Sequence, residues 1–357
     1  MIKHIQAGSL AIDCSFGAAR LDELIDFASR ENQKRGFLFV SKVLGKHIPV
    51  KPSVMRGIYN ELAEQCAINR NTLVIGMAET ATGLGAGVAD SLARNNPDLN
   101  VFYQHTTRHH LACPVWFTLN ERHSHAVDHI VYRPNDAIYA DIQACDRLVL
   151  VDDEMTTGST LLQLAEGVLA RVPAIKELII VTLVSWLKKD RVAAFEALAI
   201  PVRFVQLMKG EFSFTANPAF SAVLPENIDD GLCYASSRDD LGRTGLKMPY
   251  ELTAADGRLE LEARATAAVV VGTGEHLYQP FLLAEQLEKT ADVLFQSTTR
   301  SPILKGDAIK TRTRFTVTDG KYNFIYNQPE MRQQFILCES ESLSRQSGLL
   351  NGQQQEI

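Results

Sequence analysis

The sequence predicts an α/β protein built on a central, mainly parallel sheet flanked by helices, with a second, smaller α/β domain at the C-terminal end. Between Leu73 and Val205, short runs rich in Val, Ile and Leu alternate with loops and helix-like stretches, the pattern of βαβ units. The runs are apolar throughout rather than alternating, as strands covered on both faces require. From Pro225 to Pro249 the chain turns polar and rich in turn formers before apolar runs resume, which places a linker there.

The strands are expected at residues 72–75, 100–103, 147–151, 178–184 and 202–207. Over 161–172, apolar side chains at 161, 162, 164, 165, 168, 169 and 172 would fall mostly on one face of a helix that packs on the sheet. Before residue 70, residues 21–29 and 53–68 read as helical and 37–43 as extended. The division expected is 1–225, with a core at 70–210; a linker at 226–249; a second domain at 250–340; and a frayed polar tail at 341–357.

A chain of 357 residues exceeds the roughly 250–300 at which single cores stop growing, which supports two domains. A net charge of -6 offers no global field for nucleic acid or an anionic membrane. Six cysteines without a CxxC pair point to reduced thiols. Residues 1–12 lack a secretory apolar core, and the longest greasy run, 179–187, falls well short of the ~18 residues that span a bilayer. A cytoplasmic protein with small-molecule partners is expected, without nucleic acid or membrane, and with room left for a homodimer.

The chemistry concentrates in Leu148, Val149, Leu150, Val151, Asp152, Asp153, Glu154, Met155, Thr156, Thr157, Gly158, Ser159 and Thr160. The apolar residues make a central strand, and ligands of open α/β sheets sit beyond the carboxyl ends of such strands. Thr156–Thr160 then turns into a helix, where free amides, hydroxyls and the positive end of the dipole suit a phosphate monoester. Gly158 allows a backbone shape that a side chain would obstruct. Asp152 and Asp153 can accept hydrogen bonds from vicinal sugar hydroxyls. Together they describe a site for a sugar 5-phosphate. The rival is a Walker B strand, but no GxxxxGK[ST] occurs, and its nearest fragment, Gly45-Lys46-His47, lacks the hydroxyl that would hold magnesium.

This run resembles the type I phosphoribosyltransferases over about residues 70–210. The resemblance implies that fold, with a hood from the N-terminal segment. It also implies a reaction of phosphoribosyl pyrophosphate with a base, in which Asp152 and Asp153 bind the ribose and Thr156–Thr160 the 5-phosphate. Mg2+ is implied as cofactor, arriving with the substrate; no metal site is fixed by the protein alone. Gly76, Met77, Ala78, Glu79 and Thr80 occupy the place of the family's pyrophosphate loop, although Gly83, Gly85 and Gly87 could serve only helix packing.

Six of nine histidines lie between His105 and His129. In the family a long flexible segment here closes over the reaction, which matters because water would capture an oxocarbenium-like state. Arg108, Arg122, His123 and His125 suit the departing pyrophosphate. A zinc site using His123, His125 and His129, as in a histidine-metal phosphohydrolase, is the competing account; a non-catalytic regulatory module that binds phosphoribosyl pyrophosphate is another. Phe212 and Phe214 could stack on the base, with core packing the blander role.

Further on, Thr299-Arg300-Ser301-Pro302 resembles the TRSP domain, which is joined to phosphoribosyltransferase-like domains in bacterial proteins of tellurite-resistance and stress gene clusters. That implies synthesis of a nucleoside-like metabolite. Gly272, Gly274, Glu275 and Arg300 form a candidate second-domain site, with a structural turn as the alternative. The region also echoes the first: Val74-Ile75-Gly76, Glu79 and Gln104, Thr106, Thr107, Arg108 recur as Val270-Val271-Gly272, Glu275 and Gln296, Thr298, Thr299, Arg300. Partial duplication and chance similarity of two βαβ segments both account for this.

Overall fold

A computed structural model describes residues 1–30, 35–120, 127–221, 242–252, 267–316 and 322–339. The first third contains β1 (Ile2–Ile5), β2 (Gly8–Phe16), a short α1 (Leu21–Leu24), β3 (Ile25–Ser29), β4 (Phe37–Ser41), α2 (Pro52–Cys66), β5 (Thr72–Gly76), α3 (Ala81–Asn95) and β6 (Val101–His105). Next come β7 (Val115–Asn120), β8 (Val127–Tyr132), α4 (Asp136–Gln143), β9 (Arg147–Met155), α5 (Ser159–Leu169), β10 (Glu177–Ser185), α6 (Lys189–Glu196) and β11 (Val202–Ala216). The remainder comprises β12 (Leu246–Met248), β13 (Ala267–Gly272), α7 (Tyr278–Glu288), β14 (Asp292–Ser297), β15 (Arg312–Thr316), β16 (Tyr322–Tyr326) and β17 (Gln333–Leu337). The chain divides into a central unit, Arg56–Leu207 with Gly231–Glu251, and a composite unit, Met1–Met55 with Met208–Asp230 and Leu252–Ile357.

In the central unit the strand order is β11-β10-β9-β5-β6-β12. β5 runs parallel to both β6 and β9, and β9 parallel to β10, whereas β12 is antiparallel to β6. Leu73–Ile75 and Leu148–Val151 are fully enclosed, as their unbroken apolar character requires. β9 extends past the expected residue 151, because Asp152 and Glu154 stay in register with Thr182 and Val184 of β10. The acids therefore sit on regular strand backbone.

α3 begins at Ala81, so Gly83, Gly85 and Gly87 lie inside the helix rather than in the loop before it. A Cβ on Gly85 would come within 2.9 Å of the Gly76 Cα, and one on Gly87 would overlap the Tyr59 ring. These two glycines set how closely α3 approaches β5 and α2. Gly87→Ala is expected to cost about 1–3 kcal/mol by overpacking, read as a lower denaturant midpoint at unchanged slope.

At the amino end of the central strand β9, Arg147 is 5% exposed and donates from Nε (3.0 Å) and Nη2 (2.5 Å) to Glu177, and from Nη2 to Asn69 Oδ1 at 2.9 Å. Burial raises the Glu177 carboxyl, but the bonds and charges of Arg147 and Arg203 outweigh it and hold the group below its ordinary value. Such a group stabilises the fold above its unfolded pKa, and the contribution is lost as pH falls through the folded value. Arg147→Met should cost about 2 kcal/mol at neutral pH, with the deficit shrinking in melts carried into the acid range.

The composite unit joins both ends of the chain. β2 pairs antiparallel with β1 and with the second half of β11, from Lys209 onward, which is why β11 continues past the expected residue 207. Residues 21–29 are helical only to Leu24; from Ile25 they form β3, which pairs with β4 so that Phe27 faces Phe39. The short helix gives way because the second half of this segment satisfies its backbone across the hairpin. Phe212 and Phe214 pack with Phe37, at 5.3 and 4.8 Å between ring centroids, and Phe212 with Phe39 at 5.0 Å. They take the core-packing role among these rings.

A separate sheet of order β14-β13-β17 is parallel throughout, and β15 and β16 form a hairpin. Ala28 and Val40 share one core with Ile303, Ile309, Phe324 and Tyr326. Residues 1–55 thus group with the C-terminal segments, unlike the linear division expected, because a common apolar core and the Val50 to Phe295 backbone bonds hold them there. Most of the expected linker and all of 341–357 lie outside the described residues. Cys66 and Cys145 are buried free thiols, and burial pushes both up to about 12. Among the described residues, no helix is long and apolar enough to cross a membrane.

Candidate active site

From β5 the chain passes outward to β6, then returns to place β9 on the other flank of β5. This reversal opens a crevice at the carboxyl ends of β5 and β9, the ligand position of open α/β sheets. Gly76 is in register with His105 on one side and Val151 on the other. Backbone and hydroxyl bonds then tie the three strand ends together. Met77 N donates to Val151 O (2.9 Å), Ala78 N to Thr106 Oγ1 (2.9 Å) and Thr106 N to Gly76 O (3.0 Å). The amides of Met77 and Ala78 therefore shape the loop, and Ala78, Glu79 and Thr80 are half-buried at its crest. The Ala78–Glu79 peptide is cis.

Asp152, Asp153 and Glu154 are half-buried at the end of β9. Asp152 Oδ1 accepts the Asp153 N–H at 2.9 Å. Burial, reinforced by the neighbouring Asp153 and Glu154 charges, holds the Asp152 carboxyl well above its ordinary value. Crowding acids at a strand end is unfavourable until something neutralises or hydrogen-bonds them.

Thr156 Oγ1 donates to Glu154 Oε1 at 2.8 Å, and the Thr157 and Ser159 hydroxyls share a 2.7 Å bond. Gly158 precedes α5 with φ of +70° and ψ of 2°. A Cβ there would stand 2.8 Å from the Phe195 ring and 3.2 Å from Leu187, so glycine is required for both backbone and space. The first turn of α5 holds no acidic side chain. Its amides and partial positive charge face the crevice without competition from an acid of their own helix.

On the β6 side, Arg108 is half-buried just past the strand end. Thr107 pairs with Ile130 through bonds of 2.8 and 2.9 Å, and Thr106 Oγ1 meets His129 Nδ1 at 3.1 Å. Part of the segment expected to be a long flexible lid is the β7–β8 hairpin, where Val115, Thr118 and Leu119 pair with Tyr132, Ile130 and His129. Arg122, His123 and His125 lie outside the described residues. Arg243 is fully buried and donates from Nε to Thr107 Oγ1 at 3.1 Å, although its turn-rich surroundings between Gly242 and Gly245 carry no sequence signal for such a partner. In the composite unit, Gly272 ends β13, Gly274 and Glu275 follow in the loop, and Arg300 lies past β14.

A family model described as phosphoribosyl transferase matches residues 24–211, and one for the TRSP domain that follows it matches residues 242–352. The first match alone spans more than half of the chain. The chain therefore belongs to the phosphoribosyl transferase family, an enzyme family of glycosyl transfer, and carries the TRSP domain at its C-terminal side. Among solved structures, it is similar to the adenine phosphoribosyl transferase of Trypanosoma brucei in complex with AMP, pyrophosphate and ribose-5-phosphate, at 15% identity over 53% of this chain and 78% of that one, with a TM-score of 0.37. It is similar also to the enzyme of Giardia lamblia complexed with 9-deazaadenine, at 18% identity over 54% and 96%, TM-score 0.36. For adenine phosphoribosyltransferase from Rhodothermus marinus the figures are 18% over 53% and 97%, with 0.33. Likeness of this degree adds nothing to the assignment, which rests on the family match. No curated protein matches the chain.

Proposed function

We propose that the chain attaches the phosphoribosyl group of phosphoribosyl pyrophosphate to a nucleobase-like acceptor and releases pyrophosphate. The observation that carries this reading is the Gly158 turn. A left-handed glycine opens a helix free of acid in its first turn, and hydroxyls and paired carboxylates lie within a few residues of it. The turn supplies donors for a terminal phosphate, and Asp152 and Asp153 accept from the two ribose hydroxyls. The loop after β5 faces the pyrophosphate, with Glu79 and Thr80 at its crest. A base nitrogen attacks the anomeric carbon with inversion and loses its proton, and the C–O bond breaks with its electron pair leaving on pyrophosphate. Arg108 balances that charge, in concert with Arg122, His123 and His125.

Mg2+ fits this site as an ion carried in by the substrate, since the half-buried carboxylates at the end of β9 lower the local potential where its phosphate and hydroxyl oxygens would lie. The ion supplies charge neutralisation of the pyrophosphate. The product would be a nucleoside-like metabolite, with the TRSP domain tying it to stress or tellurite resistance.

Incubating the chain with phosphoribosyl pyrophosphate, magnesium and a panel of bases, and following pyrophosphate release, tests the proposal. Release that depends on one class of base supports it. Tight binding without release for any base would instead identify a sensor, and stoichiometric zinc by elemental analysis a metallohydrolase.

A further inference from the structure

The TRSP region repeats the catalytic core contact by contact. In the central unit, Gly76 registers with His105 and Val151; in the composite unit, Gly272 registers with Ser297 and Leu337. Thr106 N donates to Gly76 O at 3.0 Å and Thr298 N to Gly272 O at 3.1 Å; Thr106 Oγ1 accepts from Ala78 N at 2.9 Å and Thr298 Oγ1 from Gly274 N at 3.0 Å. Met77 N reaches Val151 O at 2.9 Å, as Thr273 N reaches Leu337 O at 3.2 Å.

The correspondence extends past the strands. Thr107 bridges to Ile130 in one hairpin and Thr299 to Phe324 in the other. The Tyr132 hydroxyl donates to His109 O (2.9 Å) and accepts from Leu111 N (2.7 Å), and the Tyr326 hydroxyl donates to Ser301 O and accepts from Ile303 N, both at 2.8 Å. Even the outer edges agree. His105 N bonds Gly242 O and Ser297 N bonds Gly45 O, each glycine with positive φ and each followed by a buried cation, Arg243 or Lys46. Generic βαβ packing does not dictate hydroxyl clamps at matching places. Thr299-Arg300-Ser301-Pro302 accordingly stands where the core has Thr107-Arg108-His109-His110.

The copy departs from the core where the ligand would sit. With Leu337 in the place of Val151, Cys338 and Glu339 stand at the positions of Asp152 and Asp153. No glycine follows Glu339 until Gly348, so the sequence offers no equivalent of the left-handed Gly158. The Glu339 carboxylate lies against the loop: a Cβ on Gly274 would collide with its Oε2, while Glu339 N donates to Thr273 Oγ1 at 2.7 Å and Lys46 Nζ to Gly274 O at 3.3 Å. Thr273–Glu275 are buried, whereas Ala78–Thr80 of the core are half-exposed.

We propose that the TRSP region is a second, abbreviated phosphoribosyltransferase core whose anion loop is plugged by the chain's own Glu339 carboxylate, leaving one working pyrophosphate site and one latent site. The assignment of the loop chemistry rests on the function proposed above. Magnesium pyrophosphate titrated calorimetrically into the full chain should bind at one site in the wild type and in Glu339→Gln, which keeps the plug, and at two in Glu339→Ala. Two sites in the wild type, or no additional site in a folded Glu339→Ala chain relative to the wild type, would overturn the inference. Should the core reading itself fail, the counts become none and one, a distinguishable pattern.

A ligand-free check uses Gly274→Ala. It should lower the melting temperature markedly in the wild type and clearly less in Glu339→Ala and Glu339→Asp backgrounds, the latter retaining a shortened acid. Equal losses in every background would remove the plug.

Discussion

Asp152→Asn with Asp153→Asn should lower phosphoribosyl pyrophosphate turnover by about 10²–10⁴-fold while leaving the chain folded. Each acid is assigned one ribose hydroxyl; a hydrogen bond to a charged group contributes about 1.5–3 kcal/mol, and each 1.36 kcal/mol is tenfold in rate. Circular dichroism and a thermal melt would report folding, and pyrophosphate release the turnover. Full activity in a folded double variant contradicts the site.

Asp152→Asn alone should in addition raise the melting temperature at neutral pH. Burial, then the charges of Asp153 and Glu154, hold the Asp152 carboxyl well above its ordinary value. For a raised acid, the stabilising contribution is complete below the unfolded pKa and is lost as pH rises through the folded one. The charged form is therefore the costly one at pH 7, and Asn relieves it. A gain of roughly 2–4 °C corresponds to 1 kcal/mol in a unit of this size, and it should close as pH falls below about 4. Activity and stability thus pull against each other at this residue, as at sites shaped for a ligand.

Gly158→Ala carries the second large effect. At φ of +70° a Cβ is strained, and it would press on the Phe195 ring at 2.8 Å. Strain of about 1–3 kcal/mol and overpacking of similar size lead to an expected loss of about 2–5 kcal/mol. Because the same turn is assigned to the 5-phosphate, KM for phosphoribosyl pyrophosphate should rise by more than tenfold in whatever fraction stays folded. Steady-state kinetics below the melting range separates the two effects.

The core strands were legible because Leu73–Ile75 and Leu148–Val151 are apolar on both faces; a sequence pattern reports burial well when it is that complete. The turn into α5 was legible as backbone, since a glycine between a buried strand and an apolar-faced helix marks a left-handed position, which Gly158 takes. Residues 25–29 were not, because a five-residue hairpin strand beside a short helix leaves too little periodicity to separate a period of 2 from 3.6. The grouping of residues 1–55 with the C-terminal segments was hidden for another reason. Contacts such as Ser29 Oγ to Asp307 Oδ2, at 2.8 Å, join parts of the chain that no local pattern relates. Arg243 was missed for the same reason, since its partner Thr107 is distant in sequence.

Hydrogen exchange read by mass spectrometry tests the central claim most directly. With ribose 5-phosphate added to the wild type, amides of residues 156–162 should exchange more slowly, and the slowing should vanish in Gly158→Ala. Unchanged exchange across that turn at saturating ligand, or protection confined to other segments, would contradict the placement of the sugar phosphate there.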